Sequence, residues 1–274
     1  MTAKPPAPDV SGNDVLTQRI GPVLRITLNR PARRNAITNE LCDELREIFE
    51  THRHDTSIRC AVLTGAGEAF CAGGDLKPGT SPFEVDFNDI GTRYAAALMA
   101  GKTFPVPVVA RVNGACMAGG MGLLAMCDLA VASEDVKFGL PEVRIGVFPF
   151  QVAPFLRQRI AEHHLADLAY TGRHIDAFTA QSMGLLNRVV PRTELDSAVA
   201  EYVDAIAAAA PNAVRRGKYG LAHMQGMSLR QALGLAESLV VPMSLADDAR
   251  EGIASFNEKR RPTWRGAVQQ DASR

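Results

Sequence analysis

The chain has 274 residues, 46% of them apolar, with 30 basic and 30 acidic side chains giving a formal net charge of zero. Balanced charge argues against nucleic acid or an anionic membrane as partner, and no apolar run is long enough to span a bilayer. Five cysteines (Cys42, Cys60, Cys71, Cys116, Cys127) form no C-x-x-C pair; their apolar settings point to reduced, buried thiols in a cytoplasmic protein.

Residues 1–15 read as a disordered lead-in whose Pro-rich start lacks the apolar core of a secretory signal. Leu24, Ile26 and Leu28 alternate with Arg25 and Thr27, the period of a half-buried strand. Arg30, Arg33 and Arg34 then crowd one loop. Thr38 is placed to cap a helix carrying Leu41, Leu45, Ile48 and Phe49 on one stripe. A strand over Cys60–Thr64 follows, then a stretch containing Gly and Pro, a helix around Tyr94–Gly101 and a strand over Val108–Val112. After a glycine-rich run come a helical segment, Leu123–Met126, and strands near Leu129–Ala132 and Val136–Phe138. Strand and helix alternate, so an α/β core is expected over residues 16–210. From Pro211 the strands stop: residues 211–274 read as a helical segment, with helices over Ser228–Val241 and Ser244–Lys259 separated by Pro242. Its apolar faces need something to cover.

The glycine-rich run, Asn113-Gly114-Ala115-Cys116-Met117-Ala118-Gly119-Gly120-Met121-Gly122, sits between a buried strand and a helix. Glycine there lets a ligand approach backbone N–H groups, and the helix aims its positive end at the same point. Ala69-Phe70-Cys71-Ala72-Gly73-Gly74-Asp75-Leu76 again places small residues where a strand runs out. One N–H from each turn, converging on a carbonyl oxygen, would stabilise the charge that develops on it. His163 and His164 are adjacent, point to different faces of a helix and make no metal site. Gly65-Ala66-Gly67 lacks the helix a dinucleotide fingerprint requires.

Taken in order, these pieces resemble the crotonase superfamily of enoyl-CoA hydratases and isomerases. The matching pieces are Asn29-Arg30-Pro31 through Asn35-Ala36, Phe70 to Leu76, Val112 to Gly120, Met126-Cys127-Asp128, Phe138-Gly139-Leu140-Pro141-Glu142, and Thr171-Gly172-Arg173 through Ala180-Gln181. The resemblance implies repeated ββα units wound into a spiral, with a C-terminal helical segment packed between subunits of a trimer or dimer of trimers. It implies an acyl-CoA thioester as substrate, with no cofactor beyond coenzyme A and no metal. Gly74 and Gly119 match the oxyanion-hole positions. Glu142 matches one of two catalytic glutamates, and its apolar neighbours would raise its pKa toward neutrality. Arg33, Arg34 and Ala36 match the segment around the adenine and phosphates, with Ala72, Asp75 and Leu76 beside it; Phe256 and Lys259 match positions that reach a neighbouring subunit's nucleotide.

Two departures bear on the reaction. Hydratases carry their other glutamate where this chain has Gly122. Moving a double bond from β,γ to α,β asks only that one proton leave a carbon and return two carbons away, so a single carboxylate suffices. Gly122 therefore favours isomerisation over hydration, with decarboxylation, C–C cleavage or silent acyl-CoA binding as alternatives. A glutamate introduced at 122 is expected to supply the missing carboxylate if the backbone there accepts a side chain, and Asp75 is the nearest natural candidate, with capping as its other role. Phe148 and Phe150 replace small residues where the acyl chain would pass, and belong either to the core or to the pocket wall.

Overall fold

The computed structural model describes residues 12–77 and 91–264. Most of the proposed lead-in, most of the Gly- and Pro-containing stretch before Tyr94, and the last ten residues lie outside the described residues.

The chain enters with β1 (Val15–Ile20) and β2 (Val23–Leu28), an antiparallel pair. Val15 is already buried and donates its N–H to Glu44, so the lead-in ends before residue 15. Helix α1 (Asn39–Thr51) begins where expected: the Thr38 hydroxyl accepts the Leu41 N–H, and Leu41, Leu45 and Phe49 face inward. Three units then repeat one path. Strands β3 (Cys60–Gly65) and β4 (Ala69–Cys71) lead to α2 (Arg93–Lys102). β5 (Val108–Val112) and β6 (Ala115–Met117) lead to α3 (Gly119–Met126). β7 (Leu129–Ser133) and β8 (Lys137–Gly139) lead through a 3-10 turn, Pro141–Ile145, to α4 (Ala153–Leu156) and α5 (Glu162–Thr171). Next come β9 (His174–Asp176), α6 (Ala177–Ser182), β10 (Arg188–Val190) and α7 (Leu195–Ala208). The C-terminal helices are α8 (Pro211–Met224), α9 (Leu229–Ser244) and α10 (Asp247–Asn257).

Each unit sends its first strand to one sheet and its second to another. The six-stranded sheet runs β1-β2-β3-β5-β7-β10 and is parallel beyond β2; the four-stranded sheet runs β4-β6-β8-β9, with β9 antiparallel. This is the expected ββα spiral. Alternate residues of the larger sheet face opposite sides. Ala61, Leu63, Val108 and Ala110 join the main core, while Cys60, Val62, Val109 and Val131 pack under Leu195, Val199 and Val203 of α7. All five cysteines are buried and free, as expected.

Several sequence expectations need correction. The glycine-rich run is not a single turn: β6 occupies its middle and α3 starts at Gly119, because a three-residue strand has no readable period. Pro242 does not divide the C-terminal helices, since α9 runs through it. The carbonyl it leaves unpaired belongs to exposed Ser238, within reach of water. The His163 and His164 rings do not diverge; their centroids lie 4.0 Å apart.

Where the chain leaves β3 for β4 it switches sheets, and backbone groups there lose their ladder partners. Two asparagines replace them. Asn35, fully buried, accepts the Arg30 N–H on Oδ1 (2.9 Å) and directs its amide at the carbonyls of Ala69 (2.8 Å), Ala66 (3.0 Å) and Phe70 (3.2 Å). Asn113 accepts from Thr64 Oγ1 (3.1 Å) and the Gly65 N–H (3.2 Å), and donates to Gly67 O (2.9 Å). Asn35 also sits at φ 56°, a region asparagine tolerates better than most residues. Asn35→Ala would strand several buried carbonyls and strain the backbone, so a loss on the order of 3 kcal/mol is expected. Urea denaturation measures it, and an unchanged midpoint would refute this role.

Candidate active site

Glu142, Gly74 and Gly119 meet at one cavity of about 660 Å³. Ile37, Tyr94, Ala118, Val143, Gly146, Val147 and the run Phe148–Val152 complete its wall.

Gly74 faces Ile37 across an isolated parallel bridge. Ile37 donates to Gly73 O (2.8 Å) and accepts from the Asp75 N–H (2.8 Å). The bridge thus uses the residues on either side of Gly74 and leaves its own N–H without an acceptor among the described residues. Gly119 is the first residue of α3, where an N–H has no intrahelical partner. Ala118 before it is held at φ 50°, ψ −121°, a strained conformation for a residue with a side chain. Its N–H donates to Gly139 O (2.9 Å), tying this turn to the strand that leads to Glu142. Gly73, at φ 101°, brings the two turns together: a Cβ there would lie 2.7 Å from the Ala118 Cβ and 3.7 Å from the Gly119 nitrogen. Two adjacent turns, each with a glycine N–H left unpaired among the described residues, therefore line the same cavity.

Glu142 lies in the 3-10 turn that follows β8, and the left-handed Gly146 (φ 81°) closes that turn. It is 8% exposed, and its Oε2 has no hydrogen-bond partner among the described residues. Burial raises its pKa above the usual carboxylate value, against a smaller lowering from its own backbone N–H. Among the described residues it is the sole carboxylate on the cavity wall.

Asp75 does not join it. Only 3% exposed, Asp75 pairs with Arg30 (3.2 Å) and Arg33 (3.2 Å) and accepts the Lys77 N–H (3.2 Å). Burial by itself would raise its carboxyl; the Lys77 N–H and the two guanidinium groups outweigh that and hold it below the ordinary range. The capping role is thus the one the structure shows, and Asp75 does not replace the missing carboxylate. Arg30 is half-buried and committed to Asp14 and Asp75. Arg34 is exposed, at φ 51°, and has no acidic partner among the described residues. Ala36 and Ala72 are half-buried and Leu76 exposed in the same neighbourhood, next to the Ile37–Gly74 bridge. Phe256 (83% exposed) and Lys259 lie at the C-terminal helix end and do not line the cavity.

Phe148 and Phe150 both line the cavity, which settles their position on its wall. Their ring centroids are 4.8 Å apart; Phe148 also packs on the core and on Tyr170, while Phe150 stays 75% exposed.

The residue the sequence did not single out is Tyr94. It comes from α2, is buried and donates its hydroxyl to Gly119 O (2.5 Å). Thr92 fixes the start of α2, accepting the Ala95 N–H (3.1 Å) and the Gln151 side-chain amide (2.8 Å) from the cavity wall. A Cβ at residue 122 would overlap the Tyr94 hydroxyl and stand 3.2 Å from Cζ and 3.3 Å from Leu98 Cδ1. The expectation of a working carboxylate at 122 is conditional on the backbone accepting a side chain; the backbone does, but this contact leaves no room for one. The backbone there is not left-handed; the obstacle is Tyr94, and no local pattern around Gly122 announces a residue 28 positions away.

A spiral of ββα units in which two glycine turns and a buried glutamate line one cavity defines a crotonase-fold protein. Residues 18–267 match the Enoyl-CoA hydratase/isomerase family. The chain is 37% identical over 258 residues to enoyl-CoA hydratase EchA19 of Mycobacterium tuberculosis, covering 93% of this chain and 97% of the relative. It is 37% identical over 257 residues to carnitinyl-CoA dehydratase of Proteus mirabilis (92% and 97% covered). An enoyl-CoA hydratase structure from Mycobacterium smegmatis superposes with a TM-score of 0.86 at 33% identity, covering 92% of this chain and 99% of that one. The chain belongs to the enoyl-CoA hydratase/isomerase family.

Because the folded-state pKa of Glu142 is raised, the folded state binds its proton more tightly than the unfolded chain does. That contribution to stability is complete below the unfolded value and is lost as pH rises through the folded one. Glu142→Gln keeps a neutral group at every pH, so its melting temperature relative to wild type should climb from pH 4 to pH 8. A difference independent of pH, read by calorimetry, would show that Glu142 ionises without penalty.

Proposed function

We propose that the protein binds a β,γ-unsaturated acyl-CoA thioester and shifts its double bond to the α,β position. The observation that carries this reading is a lone buried carboxylate, Glu142, on the wall of a cavity also lined by two glycines whose N–H groups are unpaired among the described residues. Glu142 removes the proton from the α carbon; the C–H electron pair moves into the enolate and the negative charge reaches the thioester oxygen. The N–H groups of Gly74 and Gly119 would receive that charge; such a donor is worth about 10²–10³ in rate. The protonated Glu142 then returns its proton to the γ carbon, and the double bond is left between α and β. A pKa raised by burial suits both steps, since the carboxylate must be a base and then an acid at one pH. The free, buried thiols suit a reducing cytoplasm.

A second reading, hydration, draws support from the relatives named as hydratases and a dehydratase. It asks for a second group to activate water, and among the described residues the cavity wall has no other carboxylate. Incubation with a panel of α,β- and β,γ-unsaturated acyl-CoAs, followed by mass spectrometry and chromatography, separates the two. Isomerisation leaves mass unchanged, and hydration adds one water. Glu142→Gln should lower isomerisation by about 10²–10⁴ while leaving substrate binding nearly intact; full activity in that variant would refute the mechanism.

The nucleotide of coenzyme A is assigned to the loop at Arg34. Arg33 shares Asp75 with Arg30, so Arg34 is the guanidinium left for a phosphate. Arg34→Glu should weaken coenzyme A binding by about 1.5–3 kcal/mol in titration calorimetry. An unchanged affinity would remove this loop from the site.

Assembly as a trimer or dimer of trimers is the reading we give α8–α10. Leu221, Leu229, Leu233, Val241, Leu245 and Phe256 all project into solvent there. Light scattering should return a multiple of three subunits, with Phe256 and Lys259 then free to reach a neighbour's nucleotide; a stable monomer at micromolar concentration would exclude this.

A further inference from the structure

We propose that Tyr94 is the specificity-determining residue of this site: its hydroxyl occupies the place where a side chain on residue 122 would stand, and so keeps a second carboxylate, and with it hydration, out of the cavity. The inference rests on the one-carboxylate isomerase reading above and says what enforces it.

The exclusion is steric before it is chemical. A Cβ on residue 122 overlaps the Tyr94 hydroxyl oxygen. That oxygen cannot withdraw cheaply. The tyrosine is buried, its ring is rigid, and its O–H is committed to Gly119 O at 2.5 Å. Leu98, one turn further along α2, stands 3.3 Å from the same point and closes the alternative direction. A residue larger than glycine at 122 can therefore be accommodated only if Tyr94 or α3 shifts.

The tyrosine also does something that a filler would not. The carbonyl it holds belongs to Gly119, which lines the cavity, and α2 itself is pinned through Thr92 to Gln151 of the cavity wall. The hydroxyl thereby fixes the first turn of α3. It does not replace the missing carboxylate as a base, because its proton is already given to a carbonyl. Burial, aided by the Cys71, Cys42 and Cys116 thiols and by Glu142, raises its pKa well above the ordinary phenol value. Glu142 is left as the sole group on the described cavity wall able to take a proton near neutral pH.

The test has a structural arm and a catalytic arm. In the structural arm, Gly122→Ala should lower the melting temperature by about 4 °C or more in the wild-type background. It should do so by clearly less in a Tyr94→Phe background, where the new Cβ meets Cζ at 3.2 Å and no oxygen. This cycle uses small substitutions and does not depend on which reaction the protein runs. Equal losses in the two backgrounds would overturn the proposal and leave the isomerase reading standing. In the catalytic arm, wild type, Tyr94→Phe, Gly122→Glu and Tyr94→Ala/Gly122→Glu are incubated with the unsaturated acyl-CoA panel, and products are weighed. The double variant should form the hydrated product at least tenfold faster than wild type, whereas Gly122→Glu alone should not. Tyr94→Phe should lower kcat for isomerisation about tenfold with little change in KM, the signature of a perturbed Gly119 turn rather than of lost binding. Hydration by Gly122→Glu as fast as by the double variant, a folded double variant with no gain, or a Tyr94→Phe enzyme with wild-type kcat would each overturn it. A wild-type enzyme whose own product carries an added water would overturn the isomerase reading and this proposal together.

Discussion

The site depends on how the chain satisfies its backbone where it crosses from one sheet to the other. A strand that leaves a parallel ladder exposes carbonyls and N–H groups that water cannot reach, and each unpaired one costs free energy. Asn35 and Asn113 absorb that cost at the β3–β4 crossing by standing in for the lost ladder. With the crossing locked, β4 delivers Gly73 and Gly74 to the Ile37 bridge, and β6 delivers Ala118 and Gly119 beside them. The N–H groups of Gly74 and Gly119 are left without an acceptor among the described residues. Their position is a consequence of the crossings on either side.

Glu142 extends the same logic to a side chain. A carboxylate with one oxygen buried and unpartnered is costly when ionised, and burial shifts its proton equilibrium upward in response. The cost is tolerated because the turn that carries it is fixed at both ends, by Pro141 at its start and by the left-handed Gly146 at its close. Asp75, the nearest acid along the chain from Gly74, is held by Arg30 and Arg33 and does not line the cavity. Phe148 and Phe150 add apolar surface to the same cavity wall.

Much of this was legible in the chain. Period-two alternation located β2, and the Thr38 cap with its apolar stripe located α1. The two glycine segments, with Glu142 behind a proline, marked the groups that meet at the cavity. What escaped were features with no local period or composition: the three-residue strands β4, β6, β9 and β10 are held by neighbours rather than by pattern. The helix start at Gly119 also escaped, since three glycines in four residues oppose helix on propensity and only packing against Ile37, Cys71 and Tyr94 supports one there.

The chain alone offered the residues that could carry the chemistry, two glycines able to bare an N–H and one glutamate in apolar surroundings, and the family resemblance singled out Glu142 and gave the missing acid at 122 its meaning. The chain determined those candidates because backbone freedom and side-chain charge are properties of a residue and its near neighbours. Tertiary structure alone decided which of those residues share a cavity and which are spent elsewhere. Asp75 went to the arginines, Arg33 followed it, and Tyr94 came from a different helix to fill the space over Gly122. Occupied volume and ion pairing depend on distances between residues far apart in the chain, and those distances exist only once the sheets have closed.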